Sequence, residues 1–361
     1  MLKPRAAVQS MGEYHPPLAG RDGLRLDFNE STIGCSARVL QKLASITAEQ
    51  LARYPERAPA ETIVADFLGI SAASTLLTNG VDEAIHLLCS TYLDAGDEVL
   101  IVVPTFGMYE IFAQQSGATI ARVPCGAGFA FPSDALAAAV TPKTRLILFA
   151  NPNNPTGGVA SRAQVEQILK AAPDAGVLVD EAYFEFHGET SVPLIARYEN
   201  LFVARTFSKA YGLAGARIGI LCGNANQMRL VRKVCSPYNV NEIALACLPE
   251  ALGDAEFVRQ YVNEVREGRT RLENELQRLG VPFWPSRANF VLMRIGENSK
   301  EFVRAMKSRG ILVRDRNSDP GCAGCVRVTI GTTGQTDQLL GAVRECLSEI
   351  GWRQTPIEVR A

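Results

Sequence analysis

Four short stretches, at 99–103, 145–150, 176–179 and 201–204, read VLIVV, RLILFA, GVLV and LFVA, and turns followed by longer amphipathic segments separate them. None of the four alternates polar with apolar residues, so none can rest one face on water. Each must be covered on both faces, the condition met by a mainly parallel sheet with crossover helices, an α/β fold. The spacing predicts helices over 82–92 after Asn79-Gly80, over 106–116 and over 161–171, where Ser161 can cap the first turn.

From Asp254 to Gly280 a polar segment carries apolar residues at helical spacing. Beyond it the pattern changes: strand candidates at 289–295 and 326–330, a helix at 299–309 and a last helix at 336–350 form a smaller α+β unit. The first 30 or so residues have little periodicity and read as an arm, and the tail after Trp352 reads as loose. With 361 residues the chain exceeds one ordinary domain. The expected division is an arm and part of a small domain at 1–45, a large domain at 46–252 and the rest of the small domain at 253–361.

Partners are bounded by charge. The 37 basic and 38 acidic residues leave a net charge of −1, with no basic block to track nucleic acid. No apolar run reaches the roughly 18 residues that cross a bilayer, and the start lacks the apolar core of a secretory signal. The chain is read as cytoplasmic, with small-molecule partners. Its nine cysteines are scattered through apolar segments, as reduced thiols are. Cys322 and Cys325 form one CxxC; with histidines only at 15, 86 and 187 they read as loop cysteines, and no metal is expected.

Open parallel sheets bind ligands outside the carboxyl ends of their strands. Here the stretch 145–150 runs into NPNNPTG at 151–157, 176–179 into DEAY at 180–183, and 201–204 into RTFSK at 205–209. All three meet at one edge. Together with TFSKAYGLAGARIG they resemble the fold-type I pyridoxal-phosphate aminotransferases, from LDFNE at 26–30 to VRVTIGT at 326–332. TNGVDEAI, PTFGMY and RYPE are most similar to the histidinol-phosphate aminotransferase family.

That resemblance implies a large domain with a seven-stranded, mainly parallel sheet, a smaller α+β domain and a homodimer with shared active sites. Lys209 would hold pyridoxal 5'-phosphate, since imine exchange and proton shuttling need a primary amine whose pKa can be lowered. Gly212, Gly215 and Gly219 after it allow close backbone approach. Asp180 would pair with the pyridine nitrogen. Tyr183 and Asn154 would bond the ring oxygen, Asn154 also serving the substrate. Gly80, Val81 and Asp82, opening a helix, would hold the phosphate together with Ser208 and Arg217, and Phe106 would stack on the ring.

On the substrate side the resemblance implies Arg327 for the α-carboxylate, Arg314 and Tyr54 for a substrate phosphate, Tyr54 from the partner subunit, and Tyr14 and Asn29 beside them. The chain departs from the pattern at Asn29-Glu30-Ser31-Thr32 and in having Phe106 for the usual tyrosine. Threonine-phosphate decarboxylases and aromatic aminotransferases of the same fold stay open as alternatives. A nicotinamide dehydrogenase does not: the stretch 126–131, GAGFAF, lacks the last glycine or alanine of that fingerprint and the helix after it.

Overall fold

The computed structural model describes residues 2–13, 15, 20 and 22–352; Tyr14 and the tail expected to be loose lie outside them. Seven strands form the main sheet: β1 (Thr75–Thr78), β2 (Glu98–Val103), β3 (Thr119–Pro124), β4 (Thr144–Ala150), β5 (Gly176–Asp180), β6 (Leu201–Thr206) and β7 (Gly219–Gly223). They lie in the order β1-β7-β6-β5-β4-β2-β3. Strands β2 to β6 are parallel to their neighbours among themselves, while β7 is antiparallel to both β6 and β1. The break has a simple cause. Residues 207–218 connect β6 to β7 with a single 3-10 turn, Ala214–Ala216, and no α-helix to carry a crossover, so the chain doubles back through the loop that carries Lys209.

The apolar strands are covered as their sequence requires. Leu146 and Leu148 of β4 pack with Ile85 and Leu88 of helix Val81–Tyr92 on one face. Ile147 and Phe149 pack with Val165 and Ile168 of helix Arg162–Ala171 on the other. Each such fully buried side chain contributes roughly 1.5–3 kcal/mol. The second helix starts as expected: Ser161 Oγ accepts from the Gln164 amide at 3.3 Å and Gln164 accepts from the Ser161 amide at 2.9 Å.

A second, antiparallel sheet holds β8 (Phe283–Trp284), β9 (Phe290–Arg294), β10 (Arg314–Asp315) and β11 (Cys325–Thr329) in the order β10-β11-β9-β8. Helices Ala255–Arg278, Ser299–Ser308 and Thr333–Glu349 accompany it. Residues 24–26 are more ordered than an arm. Leu24–Arg25 pairs in parallel with Ile311–Leu312, and the Leu26 carbonyl accepts from the Thr329 amide at 2.9 Å. Backbone pairing, which leaves no side-chain periodicity to read, ties this segment down and carries it on towards the main sheet. Among the described residues no helix is long and apolar enough to cross a membrane.

Candidate active site

The register pairs Ala150 with Asp180 and Asp180 with Ala204, so the peptides that follow β4, β5 and β6 emerge side by side. A cavity of about 620 Å³ opens at that edge, closed from the other side by β10, β11 and residues 28–30. Asp180 ends β5 and is buried. Its Oδ2 accepts from the Tyr109 hydroxyl at 2.7 Å and its Oδ1 from the Ala182 amide at 3.0 Å. Burial outweighs both bonds and pushes the carboxyl up to about 6. A cation placed beside it would favour the carboxylate.

Lys209 reaches the same cavity, its Nζ donating to the Phe28 carbonyl at 3.0 Å. Burial, reinforced by Arg327, draws the ammonium down to about 8. The amine is therefore far more nucleophilic at neutral pH than a surface lysine. Tyr183 is buried, with its ring edge against Phe290 at 5.1 Å, and its hydroxyl accepts from Asn29 Nδ2 at 2.9 Å. Asn29 has φ +56°, a region asparagine tolerates. It is held by Thr329 Oγ1 at 3.0 Å and by Asn289, which donates to its carbonyl at 3.1 Å.

At one end of the cavity the chain offers anion donors. Gly80 precedes helix Val81–Tyr92 with φ +79°, and a Cβ there would stand 2.7 Å from Arg217 Nη2. Arg217 bonds Asp82 Oδ2 at 3.2 Å, and Ser208 Oγ accepts from Thr206 Oγ1 at 2.9 Å. Val81, Asp82, Ser208 and Arg217 all line the cavity. Free amides, a guanidinium and a hydroxyl suit a phosphate monoester. Phe106 lines the wall beside them, edge-on to Tyr109 at 5.9 Å.

At the other end Arg327 is buried on β11. It donates to Asn154 Oδ1 and, at 2.6 Å, to the Asp27 carbonyl, while its Nε has no partner. Burial lowers this guanidinium to about 9. Arg314 also lines the cavity, its guanidinium 5.2 Å from the centre of the Phe28 ring. Tyr54 does not join them in its own chain. It is 76% exposed and stacks on Tyr238 at 4.4 Å.

Sequence reasoning passed over Tyr109, although it lies in PTFGMY three residues after Phe106, on the same side of a helical turn. It also passed over Arg316 and Asp319, which line the cavity. Arg316 follows Arg314 by two residues, the spacing that returns a strand to the same face. Cys322 and Cys325 are buried beside Leu292 instead, and no cluster of His, Cys, Asp and Glu among the described residues could hold a metal ion.

The profile of the class I and II aminotransferases matches residues 21–343. A histidinol-phosphate aminotransferase from Caldanaerobacter subterraneus subsp. tengcongensis is 35% identical over 330 residues, covering 90% of this chain and 93% of the relative. One from Moorella thermoacetica is 33% identical over 355 residues, 96% of this chain and 91% of the relative. In fold, the histidinol-phosphate aminotransferase of Sinorhizobium meliloti in complex with pyridoxal-5'-phosphate superposes with a TM-score of 0.89 at 24% identity, over 97% of this chain and 99% of that one. A lysine and a buried carboxyl facing one cavity, in a chain that matches the profile nearly end to end, leave one conclusion: the chain belongs to the class I and II aminotransferases, a family that works with pyridoxal 5'-phosphate.

Proposed function

We propose that the chain moves an amino group between histidinol phosphate or imidazole-acetol phosphate and glutamate or 2-oxoglutarate, a step of histidine biosynthesis. The observation that carries this reading is the presence of Arg314 and Arg327 in the cavity of Lys209, cations for a second anion beyond the cofactor's phosphate. The names of the relatives support it.

The residues present fit the cofactor. Gly80 leaves room for Arg217 and the helix amides to close on one phosphate, Asp180 is a buried carboxyl with no ion pair among the described residues, and Lys209 is an amine with a lowered pKa. When bound, pyridoxal 5'-phosphate supplies an aldehyde that takes up amino groups and a ring that withdraws electrons from the substrate's Cα. In this reading Gly80, Val81, Asp82, Ser208 and Arg217 hold the phosphate, Asp180 keeps the ring nitrogen protonated, and Phe106 covers the ring. Tyr183 and Asn154 bond its oxygen. Lys209 Nζ would take the proton from the substrate's Cα and hold it for return in the second half of the transfer. Arg327, fixed by Asn154 and the Asp27 carbonyl, turns its free Nε to the substrate anion; Asn29 and, from outside the described residues, Tyr14 are the further substrate-binding residues of this reading.

Exposed Leu40, Leu51, Phe67, Tyr238 and Ile243 lie on neighbouring helices and turns. They support a homodimer in which Tyr54 serves the partner's cavity. Residues 46–252 are then the cofactor-binding unit and 253–361 the smaller one, joined by part of 1–45 through the pairing at Leu24–Arg25. The nine free thiols agree with a cytoplasmic setting.

The test is an absorbance spectrum of the holoenzyme. A visible band lost on adding glutamate and, separately, histidinol phosphate supports the reading. Loss with glutamate alone rejects the phosphorylated substrate, and release of carbon dioxide from phosphothreonine would make the chain a decarboxylase.

A further inference from the structure

The cavity holds one guanidinium that the assignments above leave without a task. Arg316 lies in the wall that also carries Arg314 and Arg327. It is ion-paired with Asp319, the two side chains only 15% and 20% exposed, and its Nε is buried without a hydrogen-bond partner. The loop that presents it is tied at every turn. Asp315 Oδ1 accepts from the Asn317 amide at 2.8 Å, Asn317 Oδ1 from the Gly324 amide at 2.7 Å, and the Arg316 amide donates to the Cys325 carbonyl at 3.0 Å. Asp319 in turn donates its amide to the Arg316 carbonyl at 3.0 Å, which fixes the ion pair across one turn.

Three guanidinium groups thus share this wall with Asp315, held in the loop, and Asp319. Arg316 is the foremost charge pressing the Arg327 guanidinium downward, ahead of Arg314. The wall's surplus is a single positive charge, and a second becomes available to an anion when Asp319 releases Arg316. A phosphate monoester carries about −1.5 to −2 at neutral pH, more than one arginine neutralises, whereas a side-chain carboxylate carries a single charge.

We propose that Arg316 is a specificity residue, joining Arg314 on the distal phosphate of the substrate, and that Asp319 is the internal counter-ion that this phosphate displaces. The inference rests on the phosphorylated substrate proposed above. It makes Arg316 matter more to that substrate than to glutamate. Asp319 competes with the incoming anion, so its neutralisation strengthens phosphate binding.

The experiment compares holoenzymes, in which the cofactor's own phosphate fills the Gly80 end. Arg316→Gln should raise KM for histidinol phosphate by roughly 10- to 100-fold and KM for glutamate by less than about 3-fold, with kcat within about 2-fold. Arg316→Lys should recover part of the loss, and Asp319→Asn should lower the inhibition constant of inorganic phosphate against glutamate. An equal loss for both substrates, or no change in either, overturns the proposal. If Arg316→Gln does not fold, the lysine and Asp319→Asn variants decide alone, and unchanged phosphate inhibition in both rejects it. Should wild type ignore histidinol phosphate while phosphate inhibition still depends on Arg316, the substrate reading falls and the anion site stands.

Discussion

The hydroxyl of Tyr109 donates a 2.7 Å hydrogen bond to Oδ2 of Asp180, and both side chains are buried. The Ala182 amide serves the other oxygen at 3.0 Å. These bonds favour the carboxylate, yet burial still leaves it at about 6. Tyr109→Phe removes one of them and pushes the carboxyl higher, so less of it is ionised at pH 7 to meet a ring cation. The expected result is roughly 10-fold weaker cofactor retention at pH 7 with the fold intact. Dialysis followed by the visible spectrum measures it; wild-type occupancy from pH 6 to 8 would show that the bond is idle.

The same carboxyl sets a pH dependence in the cofactor-free protein. Its folded value of about 6 lies above the ordinary 3.8, so between them the folded chain binds more protons than the unfolded one. The associated stability is full below 3.8 and is lost as pH rises through 6. At pH 8 a buried charge remains that its two hydrogen bonds only partly offset, costing up to roughly 3 kcal/mol. Asp180→Asn should therefore raise the urea midpoint of the apoprotein at pH 8, leave it nearly unchanged at about pH 3, and lose cofactor binding. A midpoint at pH 8 no higher than wild type would contradict the assigned burial cost.

The carboxyl-end motifs were legible because chemistry concentrates where apolar strands stop: Asp180 closes one such strand and Lys209 follows another. What sequence hid was contact across distance. Asn29 meets Tyr183 154 positions away and Thr329 300 positions away, and neither meeting leaves a local signature. Strand β3 escaped because it lies at the sheet's edge, with its Thr119 and Pro124 exposed and no apolar run to read. The stacking of Tyr54 on Tyr238 is equally silent in sequence, which offers RYPE and SPYN 184 positions apart.

Lys209 should titrate visibly. Its ammonium is drawn from the ordinary 10.5 down to about 8, chiefly by burial. Only the neutral amine attacks an aldehyde. The initial rate at which apoprotein acquires the cofactor's visible band should climb about tenfold per pH unit below 8 and level off above about 9. Stopped-flow absorbance between pH 6 and 10 distinguishes this from an ordinary lysine, for which the rate would keep rising past pH 10. Lys209→Arg should show no band at any pH.

Behind the site a buried ion pair fixes the strand ends that carry these groups. Arg205, four residues before Lys209, places Nε 3.0 Å from Oε2 of Glu181, the neighbour of Asp180. Its Nη2 donates to Thr190 at 2.6 Å and its guanidinium lies 3.6 Å from the centre of the Phe184 ring. Glu181 has no exposed side-chain surface and also accepts from the Ser191 amide. Arg205→Ala leaves that carboxylate buried and unpaired, a loss of about 3–5 kcal/mol in urea unfolding. Glu185, which burial already pushes up to about 7, loses the main charge that restrains it and rises further. Replacing both partners, Arg205→Met with Glu181→Gln, removes the stranded charge and should restore much of the stability. A single-variant loss below about 1 kcal/mol would mean that the sheet alone, without the pair, holds Asp180 and Lys209 at the cavity.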